Sequence, residues 1–573
     1  MKALFSSLVG HPALYYSTAL ATLFAFAGLA VWNSEQLAKK RLFEWLFLIL
    51  AAGTLLIWRL PVMLWPQPLN IDEGQWAACA LKATRDFAPW HGFDATTSGP
   101  LNADVLALPA LFGASITFFS TRIIGQGLLS GAIFAFYFIT KWTHGPVTAK
   151  LALVPPVGFL ALTWEWDFLH FSSEELPIFL TTVGIAAGTY LFVKRRHAGR
   201  TAVAATAGVC LGAAGFAKLQ VLPVAFLGAV FVASAIYLTA VNRRQCHVEG
   251  LIYCLGLVAI PFMIAISLTV TGDWNHAITS YLKSAFVHIS SGATVGFDFF
   301  FGTAATYGTF AVSALALVLI ALVTLRHRWT FTKRSAANSF WALGFLLVSF
   351  AVIVTPRHAY PHYLLFSVLP ISYVLATMIQ FTREAGLWNN RQTLLAVAVA
   401  ALFVTPALGA TMAHPSPFLG EVRDLLLRAS GEHWAALPFQ NTAAQVQAIG
   451  RYAPPRSRVA IWGWMPHYYV QTQTIMATRD AHTKPQQTLG PYMEYFRERY
   501  LEEIRSNPPP VFVDAVAPAS FGYNQRNTDG VESFPALAAF IGERYRLAEE
   551  VGGVRIFTLK QEPASRPNEK NGG

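Results

Sequence analysis

"NIDEGQWAACAL", residues 70–81, sets two adjacent carboxylates, Asp72 and Glu73, just past an almost unbroken apolar run that ends in Leu64 and Trp65. A pair in that position has two readings. Asp72 can open a helix through EGQWAACALKATRDF, satisfying the first orphan N–H groups and the helix dipole. It can also be chemically active, because an ionisable group at membrane depth is costly unless a partner or a reaction uses it. The choice between them depends on what surrounds the stretch.

Outward from it, apolar runs dominate. The 573 residues are 54% hydrophobic and 14% aromatic but only 13% charged, with a mean hydropathy of +0.43, which exceeds what a soluble globule needs. A helix that satisfies its own backbone crosses a bilayer core in roughly 20 residues. Such spans are predicted near 12–32, 42–64, 121–140, 147–163, 176–193, 201–217, 222–240, 250–270, 303–325, 338–355, 362–380 and 393–412, about twelve in all. The first is too long for a signal-peptide core and has no small-residue cleavage site after it, so it is expected to stay. Four cysteines, at 79, 210, 246 and 254, show no CxxC spacing, which argues against metal or redox chemistry through sulfur.

The formal charge of +11 would suit a nucleic-acid partner, but the positions of the basic residues exclude that reading. Alternate connections hold Lys39, Lys40 and Arg41; Lys141 and Lys150; Lys194, Arg195, Arg196 and Arg200; Arg243 and Arg244; Arg326, Arg328, Lys333 and Arg334; and Arg383 and Arg391. The positive-inside rule puts those in the cytoplasm, and the N-terminus, the Asp72 loop and the tail outside, as expected for a multi-pass protein. From 413 the composition changes. Polar helices such as PYMEYFRERYLEEIRS alternate with the buried-strand patterns RVAIWGW, PPVFVDAV and VRIFTLK. The expected fold is therefore an all-α multi-span bundle over 1–412, an extracytoplasmic α/β domain over 413–560, and a disordered polar tail over 561–573.

The outer connections collect the acids: Asp72 and Glu73, then Glu165, Asp167, Glu174 and Glu175 in WEWDFLHFSSEEL, then Asp273. Outer span ends add Lys218 in GFAKLQ and Arg357, His358, His362 and Tyr363 in TPRHAYPHYLLF. Taken singly, these are interfacial anchors, snorkelling lysines and helix caps. Together, an acid able to accept a hydroxyl proton facing cations able to hold a departing phosphate is what transfer from a lipid phosphate requires. The donor's tail then stays in lipid, which accounts for the greasy setting of the acids.

Over residues 42–380 the chain resembles the GT-C glycosyltransferases that use polyprenyl-phosphate sugars, including protein O-mannosyltransferases and the lipid A aminoarabinose transferase. The resemblance rests on the acidic pair in the first large outer loop, the Pro-Leu element TTSGPLNADVLALPALFG, the following TRIIGQGLLSGAIFAFYFITK, the lysine of GAAGFAKLQVLP, and HYLLFSVLP opening a late span. It implies a glycosyltransferase moving a hexose or pentose, with Asp72 as base and a possible ligand for a divalent metal, Mg or Mn, and Glu73 in support. It places Lys218, Arg357, His358, His362 and Tyr363 near the donor phosphate, and one of Glu165, Asp167 or Glu174 as a second acidic contact. Many relatives carry a lysine before the Pro-Leu element where this chain has Ser98 and Gly99, so either His91, Lys82 or Arg85 replaces it or the donor sits differently. The implied partners are a polyprenyl-phosphate sugar, an envelope glycan, lipid or protein acceptor, and membrane lipid. A lipid or solute transporter, which should show inverted repeats and broken midplane helices, and a non-catalytic envelope scaffold are the competing classes.

Overall fold

The long apolar runs fold as helices because in lipid each backbone N–H and C=O must find its partner within its own segment. A computed structural model of the protein describes residues 2–31, 41–163, 165–195, 199–296, 299–300, isolated positions from 307 to 322, 333–385 and 441–560. After a short leading helix, Lys2–Val9, come α1 (Pro12–Val31), α2 (Arg41–Leu64), α3 (Ile71–Ala83), α4 (Leu101–Leu111), α5 (Phe118–His144), α6 (Pro146–Leu162), α7 (Glu175–Val193), α8 (Arg200–Ala217), α9 (Leu222–Thr239), α10 (Arg243–Thr271), α11 (Lys333–Val354) and α12 (Leu365–Glu384).

Among the described residues nine helices are long and apolar enough to cross a membrane: α1, α2, α5 and α7 to α12. The protein is multi-pass. The expected span 147–163 is α6, which at 17 residues is shorter than the rest. The expected span 303–325 lies largely, and 393–412 wholly, outside the described residues, as do the 412–413 boundary and the tail from 561.

The chain divides into two compact units. The first holds the membrane helices. Within it α8 approaches α10 closely, where Gly208 and Gly212 face Tyr253 and Leu257: a Cβ on either glycine would run into a carbonyl oxygen of α10. Small residues four apart are how membrane helices reach such contact, since lipid gives no hydrophobic drive for side chains to pack.

The second unit comprises Gly74–Phe87, His91–Asp94 and, within its described part, residues 441–560. Its later helices are α13 (Ala443–Tyr452), α14 (His467–Thr472), α15 (Met493–Ser506) and α16 (Pro535–Arg544), around strands β1 (Arg458–Trp462), β2 (Ile475–Met476), β3 (Val511–Asp514), β4 (Tyr545–Val551) and β5 (Val554–Leu559). The sheet order is β2-β1-β3-β5-β4, with β1 parallel to β2 and β3, and β5 antiparallel to β3 and β4. Gly552 and Gly553, both at positive φ, close the β4–β5 hairpin, where two such residues match the strand twist. Trp462, Tyr500, Phe512 and Leu537 form its core. Its segment 91–94 is fastened to the later residues by Arg499, which reaches Asp94 at 2.9 Å and Asp480 at 2.5 Å.

Candidate active site

In the first unit, the loop after α2 turns back into α3. Asn70 caps this helix: its Oδ1 accepts from the Asp72 amide at 3.0 Å, and its Nδ2 donates to Asp167 at 2.7 Å. The capping role is thus taken by Asn70, and the half-buried Asp72 carboxylate has no hydrogen-bond or ion-pair partner among the described residues. It acts electrostatically on Tyr360 and Tyr363; burial, then the charge of Asp72, pushes the Tyr360 phenol up.

Glu73 is held quite differently. Fully buried, it takes Nε and Nη2 of Arg122, both at 2.7 Å, and the Leu69 amide at 3.1 Å. Arg122, in the first turn of α5, also donates to the carbonyls of Val62 (2.8 Å), Trp65 (2.6 Å) and Gln67 (2.7 Å), satisfying the end of α2 and the strap after it. A two-pronged pair with all donors used is a structural clamp.

The turn 165–175 supplies the other acids. Arg59, buried within α2, donates Nη2 to the carbonyls of Phe168 at 2.9 Å and Leu169 at 3.2 Å, and its guanidinium lies 3.9 Å from Glu175. The turn then presents Asp167 and His170 toward His362, at the start of α12. Glu174 forms an ion pair with Lys218 at the end of α8, and Lys218 also donates to Ser173 at 2.8 Å and lies 4.9 Å from the centre of the Tyr363 ring. His362 is 3.9 Å from Glu174 and 3.7 Å from Asp167. The Pro-Leu element sets Lys218 in place: Asn102 donates to the carbonyls of Ser98 (2.9 Å) and Ala217 (2.7 Å). Gly99, at φ 77°, backs directly onto the Phe216 carbonyl, where no side chain would fit.

The charge pattern follows from these contacts. Burial would raise the Asp167 carboxyl, but the neighbouring imidazoles of His170, at 3.8 Å, and His362, at 3.7 Å, hold it well below the usual range. Burial would strip His170 of its proton, yet Asp167 reverses this and pushes the imidazole up to about 9. Burial also opposes ionisation of Glu174, and Lys218 and then His362 overcome it, so its pKa is lowered. Glu165 is shifted up, by burial and then by Asp167.

Asp167, His170 and His362 offer three ligand atoms within 4.8 Å of one another. His170 Nδ1 contacts the Phe171 carbonyl at 2.6 Å, which fixes the tautomer with Nε2 toward Asp167. His170 Nε2 and His362 Nδ1 are both buried without a hydrogen-bond partner. Those orphaned nitrogens beside a carboxylate fit a divalent ion, which would displace the His170 proton on binding. Asp72 is not among the three.

The structure therefore brings together Asp72, Asp167, Glu174, Lys218, His362 and Tyr363. Arg357 is exposed, with a left-handed backbone (φ 59°), and has no ion pair among the described residues. His358 is turned to His288, stacked at 3.9 Å with Nε2 2.9 Å from its carbonyl. His91 belongs to the second unit, as do Lys82 and Arg85.

No protein-family model matches the sequence, and no curated protein matches it. The structure aligns with ArnT from Cupriavidus metallidurans bound to undecaprenyl phosphate, at a TM-score of 0.53 and 12% identity over 90% of this chain and 98% of that one. It aligns with the apo state of the same protein at 0.50 and 15%, over the same shares. The chain has the GT-C fold. An oligosaccharyltransferase from Archaeoglobus fulgidus aligns at a TM-score of 0.41 and 11% identity over 92% of this chain and 72% of that one.

Within this GT-C fold, Asn70, Arg59, Arg122 and His170 escaped the sequence reading. Arg59 gave a signal, a charge inside the apolar run LIWRLP. Arg122 and His170 gave none, because their partners lie 49 residues away or are fixed only by the folded turn.

Proposed function

We propose that this protein is an inverting glycosyltransferase that moves a hexose or pentose from a polyprenyl-phosphate donor to a hydroxyl of an envelope glycan, lipid or protein. The observation that carries the reading is the contrast between Asp72, whose carboxylate has no partner among the described residues, and the network beside it, where Glu174 is paired with Lys218 and Asp167 lies against the imidazoles of His170 and His362. Asp72 accepts the acceptor's proton as the hydroxyl oxygen attacks the anomeric carbon. Lys218 and His362 stabilise the charge that grows on the departing lipid phosphate, and Tyr363 shapes the wall between them. Phosphate leaves well, so no separate acid is required. The shared GT-C fold and the undecaprenyl phosphate bound to ArnT support a donor of that class.

Asp167, His170 and His362 would hold a divalent ion. Two imidazoles and one carboxylate suit zinc-like metals better than the Mg or Mn expected from the sequence. Bound there, the ion would add positive charge facing the phosphate. The Lys- and Arg-rich connections support a cytoplasmic assignment for their rim, which would place this site and the second unit in the periplasm of a bacterial inner membrane.

The test is transfer by purified Asp72→Asn in lipid, against a panel of polyprenyl-phosphate hexoses and pentoses. Loss of transfer with unchanged folding is expected. Full activity would remove the base.

A further inference from the structure

A cavity of 610 Å³ runs inside the first unit between α5, α7, α9, α11 and α12. Along α7 its lining extends from Ile178, one turn beyond Glu174, to Val193, a rise of about 22 Å at 1.5 Å per residue. The lining is mostly apolar, and Thr181, Thr182 and Thr189 turn their hydroxyls back to the carbonyls of Pro177, Ile178 and Ile185 at 2.6–2.8 Å. Such a space is too large to stand empty in a close-packed interior and too apolar to hold ordered water. A hydrocarbon chain suits it.

The burial of its two ends decides which lipid. Near the candidate active site the lining is closed: Leu365 is 3% exposed and Phe366 5%. At the far end it opens, with Phe192 46% and Val193 40% exposed. Arg195 and Asn338 also line that open end, and neither side chain has a hydrogen-bond or ion-pair partner among the described residues. A donor with its phosphate at Lys218 would need the opening at the other end. We propose that the cavity seats one acyl chain of an anionic phospholipid from the leaflet at the Lys/Arg-rich rim, with its phosphate at Arg195 and Asn338. A single basic residue near the surface favours an anionic headgroup by roughly fivefold.

The experiment is native mass spectrometry of the delipidated full chain titrated with phosphatidylglycerol or phosphatidylethanolamine. The wild type is expected to retain one phosphatidylglycerol per chain, about fivefold more tightly than phosphatidylethanolamine. Arg195→Gln should bind both equally, and Thr182→Trp, which fills the cavity, should bind neither. Because Thr182→Trp could misfold, wild-type protein is also labelled with phosphatidylglycerol carrying a photoreactive acyl chain, which should mark the lining of α7 and α12. Equal binding of the two lipids by the wild type, labelling only outside the lining, or displacement of phosphatidylglycerol by polyprenyl phosphate would overturn the proposal. None of these readouts depends on sugar transfer, so they stand apart from the fate of the catalytic reading.

Discussion

Two buried arginine–glutamate pairs sit at opposite rims of the membrane helices. Arg122 holds Glu73 through Nε and Nη2 at 2.7 Å, while Arg200 holds Glu249 through the same atoms at 2.8 Å. Each arginine also takes the carbonyls that end a neighbouring helix, Val62 for one and Leu191 and Lys194 for the other. The construction is the same at both rims, so a buried charge pair here marks a helix junction. What separates the rims is the neighbour: beside Glu73 stands Asp72, a carboxylate without a partner among the described residues, and beside Glu249 the hydrogen-bonded companion is an amide, Gln245, at 2.7 Å. The unmatched acid, and not the acid pair as a unit, is the chemical signal.

The strongest way to break this comparison is to neutralise the two adjacent acids separately. Asp72→Asn should lower sugar transfer about 10³-fold, within the range for loss of a general base, and leave the melting temperature unchanged. Glu73→Gln should lower the melting temperature, with activity falling only in step with the folded fraction. A Glu73→Gln variant that melts like wild type but cannot transfer would make the pair catalytic after all.

Next in size is the clamp itself. Glu73→Ala and Glu249→Ala each leave a buried guanidinium unmatched, and each should cost about 3–5 kcal/mol of stability, the usual result of removing one partner of a buried pair. Denaturant unfolding in detergent measures both. A large loss for one and none for the other would show that the two rims are not built alike.

A smaller effect sharpens the difference between the rims. Lys218→Met should raise the KM for the donor about tenfold, a loss of roughly 1.4 kcal/mol, whereas Arg195→Gln at the opposite rim should leave the donor KM alone. Steady-state kinetics with one polyprenyl-phosphate sugar separates them. Equal effects would mean that general membrane charge, and not a local phosphate contact, is at work.

How much of this was legible follows the range of each interaction. The membrane helices and the strands at RVAIWGW, PPVFVDAV and VRIFTLK rest on local hydrophobic pattern, which a single sequence carries. The acidic rim was legible because alternate connections share a side. Which acid of the 165–175 turn matters was not, because the answer depends on His362 for Asp167 and on Lys218, 44 residues away, for Glu174. Arg357 read like Lys218 in the sequence, yet its left-handed backbone and exposure set it apart. Least visible was the assignment of residues 74–87 and 91–94 to the second unit, where Asp94 meets Arg499 across 405 residues.

That second unit offers the opposite case to the paired acids, a buried titratable group kept neutral. His482 Nδ1 accepts the Lys484 amide at 3.2 Å and its Nε2 faces Gln75 Oε1 at 3.0 Å, so the neutral tautomer with Nε2–H uses both contacts and a second proton would break one. Burial, then the charge of Lys484, pushes His482 down to about 3, and burial does the same to His467. Both lie below the unfolded value of about 6.5. Above that value neither state is protonated and the two histidines do not affect stability; below it the unfolded chain gains protons that the folded unit cannot accept. Stability should therefore fall as the pH drops from about 6.5 toward 3, by up to about 1.4 kcal/mol per pH unit for each histidine. Hydrogen exchange of the β1 and β3 amides in the full chain reports this opening, and His482→Gln should halve the slope. An unchanged slope in that variant would assign the acid sensitivity to His467 or to the Asp94, Asp480 and Arg499 cluster instead.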